Sequence, residues 1–352
     1  MTIVLTPEQA RSERWRAQLL GGSSRSPAEV VDRAVALQGQ DLPAVLRAIA
    51  IRSVPGTTLD DVRAAFDAGD LVRSWPMRGT LFATTPQRLS AMLSLTGDRL
   101  HRATTLRRSQ LGLDDGTVAK STAALLAALD ERPLRRQEAM AVLEAAGVDT
   151  GAGRGYHLLM HCSVGGLVHW GPFADGGAEQ LLVRTPASTP PDPDAALTAI
   201  VQGMVAARGP VTDADVAWWT KLPKTDVRRA AASIPDLVEV EIDGIRAWTI
   251  GEPQTSLEST GVTLVPGFDE WILGYADRSL VASPAAFEAL VPGGNGVFRP
   301  AVLVDGVVVG SWRLPAARSP RAARMPEVEL VERVGATTRR AIDRAVAAWP
   351  HA

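Results

Sequence analysis

The chain has 352 residues, 46% hydrophobic and 22% charged, with a net charge of −2. That length supports roughly two or three compact cores, and the composition excludes a disordered chain. A near-neutral total also excludes a polycationic body that coats nucleic acid indiscriminately, so any such contact must come from local clusters of charge.

All but Lys120, Lys221 and Lys224 of the 37 basic residues are arginine, whose planar fork can grip phosphate in a bidentate way. Cys162 is the only cysteine, which rules out an internal disulfide framework and points to a reducing cytoplasm. The opening "MTIVLTPEQARSERW" lacks the apolar core of a signal peptide. With no apolar run of about 18 residues, a cytoplasmic protein without membrane contact is expected.

Residues 8–20 read as a first helix closed by Gly21-Gly22, and Ser26-Pro27 starts a second. Along the second, Val31, Ala34, Val35 and Gln38 fall at i, i+3, i+4 and i+7, which puts Gln38 on an apolar helical stripe. After a break at 39–43 the same phase resumes through Leu42, Val45, Leu46 and Ile49. "TLDDVRAAFDAGDLV" is a fourth helix with Thr58 as N-cap and Gly69 near its end. Two short strands follow, "LVRSW" and "TLFATT". Helices followed by a small hairpin are the order of a winged helix-turn-helix module.

That order recurs. "STAALLAAL", "RRQEAMAVLEAAG" and "GYHLLMHCSVGG" precede the strands "LVHW" and "EQLLV", and a Pro/Ser/Thr-rich linker occupies 184–194. Three more helical stretches from 194 then lead to "LVEVEID" and "IRAWTI", a hairpin turning at Asp243-Gly244. The last ninety or so residues are β-rich, with a turn signal at Asp305-Gly306 and a closing helix "TTRRAIDRAVAAW". The expected fold is α+β: tandem winged-helix modules over 1–110, 111–184 and 193–255, then a barrel-like β-rich domain over 256–352.

Several segments carry a family resemblance: "LQGQD" (37–41), "VRSWPMRGTLFATTP" (72–86), "RGPVTDADVAWWTKL" (208–222), "LVPGFDEWILGYADR" (264–278) and "RPAVLVDGVVVGSWR" (299–313). Together they extend over most of the chain, and it resembles the winged-helix DNA glycosylases of AlkZ and YcaQ type. The resemblance implies a positively charged DNA channel and excision of alkylated purines, including bulky or crosslinking adducts, in some members for self-resistance of an antibiotic producer. It also implies a catalytic motif of Gln-x-Gln or Gln-x-Asp around a hydrophobic residue, which falls here on Gln38 and Gln40. Gly39 departs from the hydrophobic middle position, and Phe82 stands where many relatives have histidine.

The chemistry suits such a pair. Alkylation at N7 or N3 makes a purine cationic, so its glycosidic bond breaks through an oxocarbenium-like state and the leaving base needs little acid. What remains is to position a water and relieve the sugar cation. A glutamine carbonyl can accept from the water, although an amide is no strong general base. In a regular helix positions 38 and 40 lie ~200° apart and could not share a water, so a non-helical turn is required.

DNA phosphates would meet Arg73 and Arg78 in the first hairpin and Arg102, Arg107 and Arg108 in the stretch "RLHRATTLRR", with "RLPAARSPRAAR" (313–324) as a second basic run. His157, His161 and Cys162 in "HLLMHC" lack the further partners of a zinc site and read as packing, as do Trp170, Trp218 and Trp219. Asp269, Glu270 and Asp277-Arg278 read as ion-pair or loop-fixing groups within the β-rich domain. No metal, cofactor or obligate protein partner is expected. The leading expectation is a monofunctional glycosylase acting on double-stranded DNA with alkylated purines, since no lysine lies near the motif in sequence to form a Schiff base. The alternatives are a non-catalytic winged-helix regulator and a degenerate scaffold relative.

Overall fold

The computed structural model describes residues 3–187, 189, 191–256, 259–315 and 324–350. Most of the basic run 313–324 therefore lies outside the described residues.

The N-terminal part runs β1 (Ile3–Leu5), α1 (Pro7–Ala17), α2 (Pro27–Ala34), β2 (Ala36–Gln38), α3 (Leu42–Ala50), α4 (Leu59–Asp67), β3 (Val72–Met77) and β4 (Thr80–Thr84). Capping boxes at Thr6, Ser26 and Thr58 start α1, α2 and α4, satisfying first-turn N–H groups that have no helical partner. The helical periodicity that ran to Gln38 stops four residues early. Val35 adopts φ 67° and ψ −53°, a conformation in which no helix continues and which a β-branched residue rarely takes. The chain then pairs antiparallel with β4, with Ala36 opposite Thr84 and Gln38 opposite Phe82.

Next come α5 (Pro86–Gln110), α6 (Asp115–Glu131), α7 (Arg136–Ala145), α8 (Arg154–Val164), β5 (Val168–Phe173) and β6 (Gln180–Arg184). Strand β5 joins β3 at Arg73 and Trp170, so the first two hairpins merge into one five-stranded sheet ordered β2-β4-β3-β5-β6. A bulge in β3 between Ser74 and Met77, together with the alternation of β4, divides the sheet's contacts. Trp75, Leu81 and Trp170 pack with α6–α8, whereas Met77 and Phe82 pack with the segment that follows.

That segment holds α9 (Pro193–Arg208), α10 (Asp213–Thr220), α11 (Lys224–Ala231) and the hairpin β7 (Leu237–Ile242) and β8 (Ile245–Ile250). The N-terminal β1 runs parallel to β7 and completes a three-stranded sheet. The rest is β9 (Val262–Val265), α12 (Glu270–Leu273), α13 (Pro284–Leu290), β10 (Ala301–Val304), β11 (Val307–Arg313), β12 (Glu327–Leu330) and α14 (Ala336–Ala347).

The expected barrel is corrected to an open sheet ordered β12-β11-β10-β9, with no closed barrel among the described residues. Both faces are covered by helix, which removes the need for closure. Ile342 of α14 packs on Leu264, Val302 and Trp312, while α12 and α13 supply Trp271, Ala286 and Leu290 to the opposite face. No helix among the described residues is long and apolar enough to cross a membrane.

His161 and His169 are both pushed down to about 4: His161 by burial and then by His101, Arg108 and His157, with Asp115 opposing, and His169 by burial alone. Each ring is neutral in the fold but takes a proton near 6.5 in the unfolded chain. Their contribution is therefore complete above about pH 6.5 and lost as pH falls through about 4. Thermal melts should show the midpoint dropping across that window, and less steeply in His161→Phe and His169→Gln variants.

Candidate active site

Gln38 is the last residue of the three-residue strand β2, and Gln40 lies two residues beyond it. Pairing continues through Gly39, whose N–H donates to the Leu81 carbonyl at 2.7 Å, so positions 38 and 40 fall on one side of an extended segment. The expected non-helical turn is thus an extended residue at 39 followed by a bend at 40 and 41. Gln38 is 5% exposed, and its Oε1 is buried with no hydrogen-bond partner among the described residues. Gln40 is exposed, and its Oε1 accepts from Leu81 N–H at 3.4 Å.

Gly39 sits close against the paired strand. A Cβ there would lie 3.0 Å from Ala83 N and 3.1 Å from the Phe82 carbonyl carbon, both backbone atoms of the paired strand. The hydrophobic middle residue of the family pattern would require β4 to give by a few tenths of an ångström here. Phe82 sits opposite Gln38, is fully buried, and meets Trp219 edge-on at 5.6 Å between ring centroids.

Strand β2 is an edge strand, so its outward N–H and C=O groups have no neighbouring strand to bond. Two buried side chains take that place. Arg208, at the end of α9, donates Nη1 to Ala34 O at 2.8 Å and Nη2 to Ala36 O at 2.9 Å, gripping the chain on both sides of Val35. The Val35 carbonyl accepts from the Thr84 hydroxyl at 2.7 Å. Glu270 accepts the Gln38 N–H on Oε1 at 3.0 Å. Its Oε2 accepts from Trp219 Nε1 at 2.8 Å and pairs with Arg208 at 3.1 Å.

A second buried pair stands beside the first. Arg52 reaches both carboxylate oxygens of Asp269, at 2.8 and 2.9 Å, and also holds the Gln18 carbonyl. Gln18 donates to the Tyr275 hydroxyl, which in turn donates to Arg208 O. Asp269 and Glu270 are thus ion-pair residues, as their sequence suggested, but their partners lie in α9 and just after α3 rather than within the C-terminal part. Arg52 and Arg208 went unnoticed in the sequence, where nothing separates them from the other arginines.

The arginines expected at DNA differ in setting. Arg73 lies behind the motif, donating Nε to Gly39 O at 2.7 Å and Nη1 to Gln180 Oε1 at 3.0 Å, and burial pulls its guanidinium down to about 10. Arg78 occupies the β3–β4 turn with its guanidinium 5.5 Å from the Phe82 centroid and 4.8 Å from that of Trp218. Arg102 and Arg107 are exposed on the distal half of α5, and Arg108 pairs with Asp115 at 3.1 Å. Among the described residues no group of three His, Cys, Asp or Glu could hold a metal. Trp170 and Trp219 are core residues, whereas Trp218 is only half-buried.

Residues 31–351 match the family described as DNA glycosylase AlkZ-like. The chain belongs to that family. It is 27% identical to an interstrand DNA cross-link repair glycosylase of Streptomyces sahachiroi, over 93% of this chain and 94% of the relative. The solved structure of the Streptomyces sahachiroi DNA glycosylase AlkZ is similar in fold, with a TM-score of 0.77 and 22% identity over 98% of this chain and 96% of that one. The glycosylase fold thus carries the Gln38–Gln40 strand under a clamp of buried charge.

Two substitutions test this architecture by urea denaturation. Gly39→Ala drives a Cβ against β4 and should cost about 1–3 kcal/mol, as overpacking does. Glu270→Gln leaves Arg208 buried without its counter-charge and should cost about 3–5 kcal/mol.

Proposed function

We infer that this protein is a monofunctional DNA glycosylase that hydrolyses the N-glycosidic bond of cationic N7- or N3-alkylated purines in duplex DNA, with Gln38 and Gln40 as the water-positioning pair. One observation carries the reading: the Gln38 Oε1 is a buried acceptor without a partner, next to an exposed amide on the same side of the strand. Leaving such an acceptor unsatisfied costs about 1–3 kcal/mol, a cost that a bound water removes.

A water held by both carbonyls has its hydrogens directed into the protein and an oxygen lone pair free for C1′. As the C1′–N9 bond breaks, its electrons leave with the purine, which becomes neutral. The water oxygen bonds C1′ and its surplus proton passes to solvent. Neither amide titrates, so the pair supplies position rather than basicity, which suffices only where the base is already a good leaving group.

The helix-plus-hairpin units are the winged helices of this reading, with Arg78, Arg102 and Arg107 facing the duplex. The relative named for interstrand cross-link repair supports extending the substrate to bulky adducts, and the exposure of Gln40 suits these better than full extrusion into a closed pocket. A role in self-resistance to a DNA-alkylating natural product fits the same chemistry.

The test is release of N7-alkylguanine from duplex DNA. Gln38→Ala and Gln40→Ala should each lower the single-turnover rate about 10²-fold or more while duplex affinity is kept. The wild-type rate should be flat from pH 6 to 9, and borohydride should trap no covalent DNA adduct. Equal release by wild type and both variants would remove the pair from the mechanism.

A further inference from the structure

Beside the glutamine strand, three cations crowd one half-buried indole. Around Trp218 stand Arg78 at 4.8 Å, Arg278 at 5.0 Å and Lys221 at 5.5 Å from the ring centroid. They come from three separate segments: the β3–β4 turn, the residue after α10 and the loop beyond α12. None of them has an ion-pair partner among the described residues, whereas Arg16, Arg63, Arg88, Arg108 and Arg228 all do.

Their surroundings leave them unusually uncommitted. Arg78 and Lys221 make no hydrogen bond to any described residue, and the Arg78 Nη1 is buried without a partner. Arg278 is anchored through Nε to Ile272 O at 2.9 Å and Nη1 to Ala276 O at 3.3 Å, which leaves Nη2 unbonded. Buried donors without acceptors are rare enough to need an explanation. Cations on one aromatic ring repel one another, which the face of the indole offsets in part, as do Glu270 for Arg78 and Asp215 and Asp277 for Arg278.

The backbone adds a second argument. Arg78 has φ 57° and is followed by Gly79 at φ 68°, the two left-handed residues of a tight hairpin turn where asparagine-glycine is the usual choice. Lys221, after α10, has φ 59° where glycine is the usual choice. Two long cationic side chains thus occupy backbone positions that cost each of them about 1–2 kcal/mol, and both are aimed at the same indole.

We propose that Arg78, Lys221 and Arg278 around Trp218 form a phosphodiester cradle for the DNA strand that carries the target nucleotide. The proposal rests on Gln38 and Gln40 as the hydrolytic pair, because Arg78 spans Trp218 and Phe82, and Phe82 faces Gln38 across the ladder. An anion there takes the free donors of all three cations and removes their repulsion. Its place alongside β2 fixes the register of the strand over the glutamines, the positioning role that backbone contacts play.

The test measures binding rather than excision, so it is separable from the assignment of the glutamines. Fluorescence anisotropy of a labelled duplex holding a stable abasic analogue is followed against salt for wild type, Lys221→Gln, Arg278→Gln and Arg228→Gln. Each neutralised phosphate contact contributes about 0.9 to the slope of log affinity against log salt. Lys221→Gln and Arg278→Gln should each lower the slope by about 0.9, and Arg228→Gln, an exposed ion-paired control, should not. Lys221 is exposed and unbonded, so its variant folds even if loss of the Arg278 anchors disturbs that loop. An unchanged slope in folded Lys221→Gln overturns the cradle. So does inorganic phosphate that binds wild type, fails to bind Lys221→Gln, and does not compete with duplex. Lowered slopes with no excision by wild type would keep the cradle and overturn the glycosylase mechanism instead.

Discussion

The site depends on how a bare strand edge is closed. Strand β2 has only three residues and one neighbour, β4, too little to hold a side chain in one geometry by pairing alone. The Arg208–Glu270 pair supplies what a second neighbour would: donors for Ala34 O and Ala36 O, and an acceptor for Gln38 N–H. Because each of these bonds involves a charged group, each is worth about 1.5–3 kcal/mol rather than the ~1 of a neutral one. The same contacts over-determine Val35, whose left-handed backbone costs about 1–3 kcal/mol and persists only where its surroundings hold it.

Burial explains why the clamp comes as two adjacent acids. Arg52 and Arg208 are 2% and 1% exposed, and Asp269 and Glu270 are 3% and 2% exposed. An isolated charge at such depth is prohibitive, whereas a pair with every remaining donor satisfied is tolerable. Asp269 and Glu270 sit at the start of one short helix, where they receive N–H groups and partial positive charge as well. One segment near residue 270 therefore ties α9, the loop after α3 and β2 into a single unit. Sequence separations of 217 and 232 residues are bridged by charge-assisted bonds rather than by apolar contact alone.

Much of this was legible in the sequence where local chemistry decides the structure. Thr58 caps α4 and Asp305-Gly306 turns the β10–β11 hairpin because their side-chain and backbone demands are met within a few residues. The end of α2 was not legible. Val31, Ala34, Val35 and Gln38 keep helical spacing, and only the distant Arg208 and Thr84 make it favourable for Val35 to leave the helix. The long α5 was equally hidden, since only its arginine-rich half draws notice and its first half is apolar on one side. Family resemblance located the glutamines. It could not say that Arg73 stands behind Gly39, since the two meet only because β2 and β3 flank β4 in one sheet.

The asymmetry of the two glutamines has a physical reason. Gln38 lies against an existing carboxylate, since Glu270 accepts the N–H of that very residue. An acid at position 38 would bring a second negative charge to a buried site whose nearby cation, Arg208, already pairs with Glu270, which favours its protonated form. A neutral amide escapes that conflict and keeps its carbonyl available whatever the pH. Position 40 is exposed and free of that neighbour, so a carboxylate would be tolerated there. The family pattern that this chain resembles, Gln-x-Gln or Gln-x-Asp, varies at the second position alone, where the electrostatics permit it. The ion pair that closes the strand edge thus favours an uncharged side chain at position 38, which is the kind of acceptor the proposed hydrolysis of an already charged base requires.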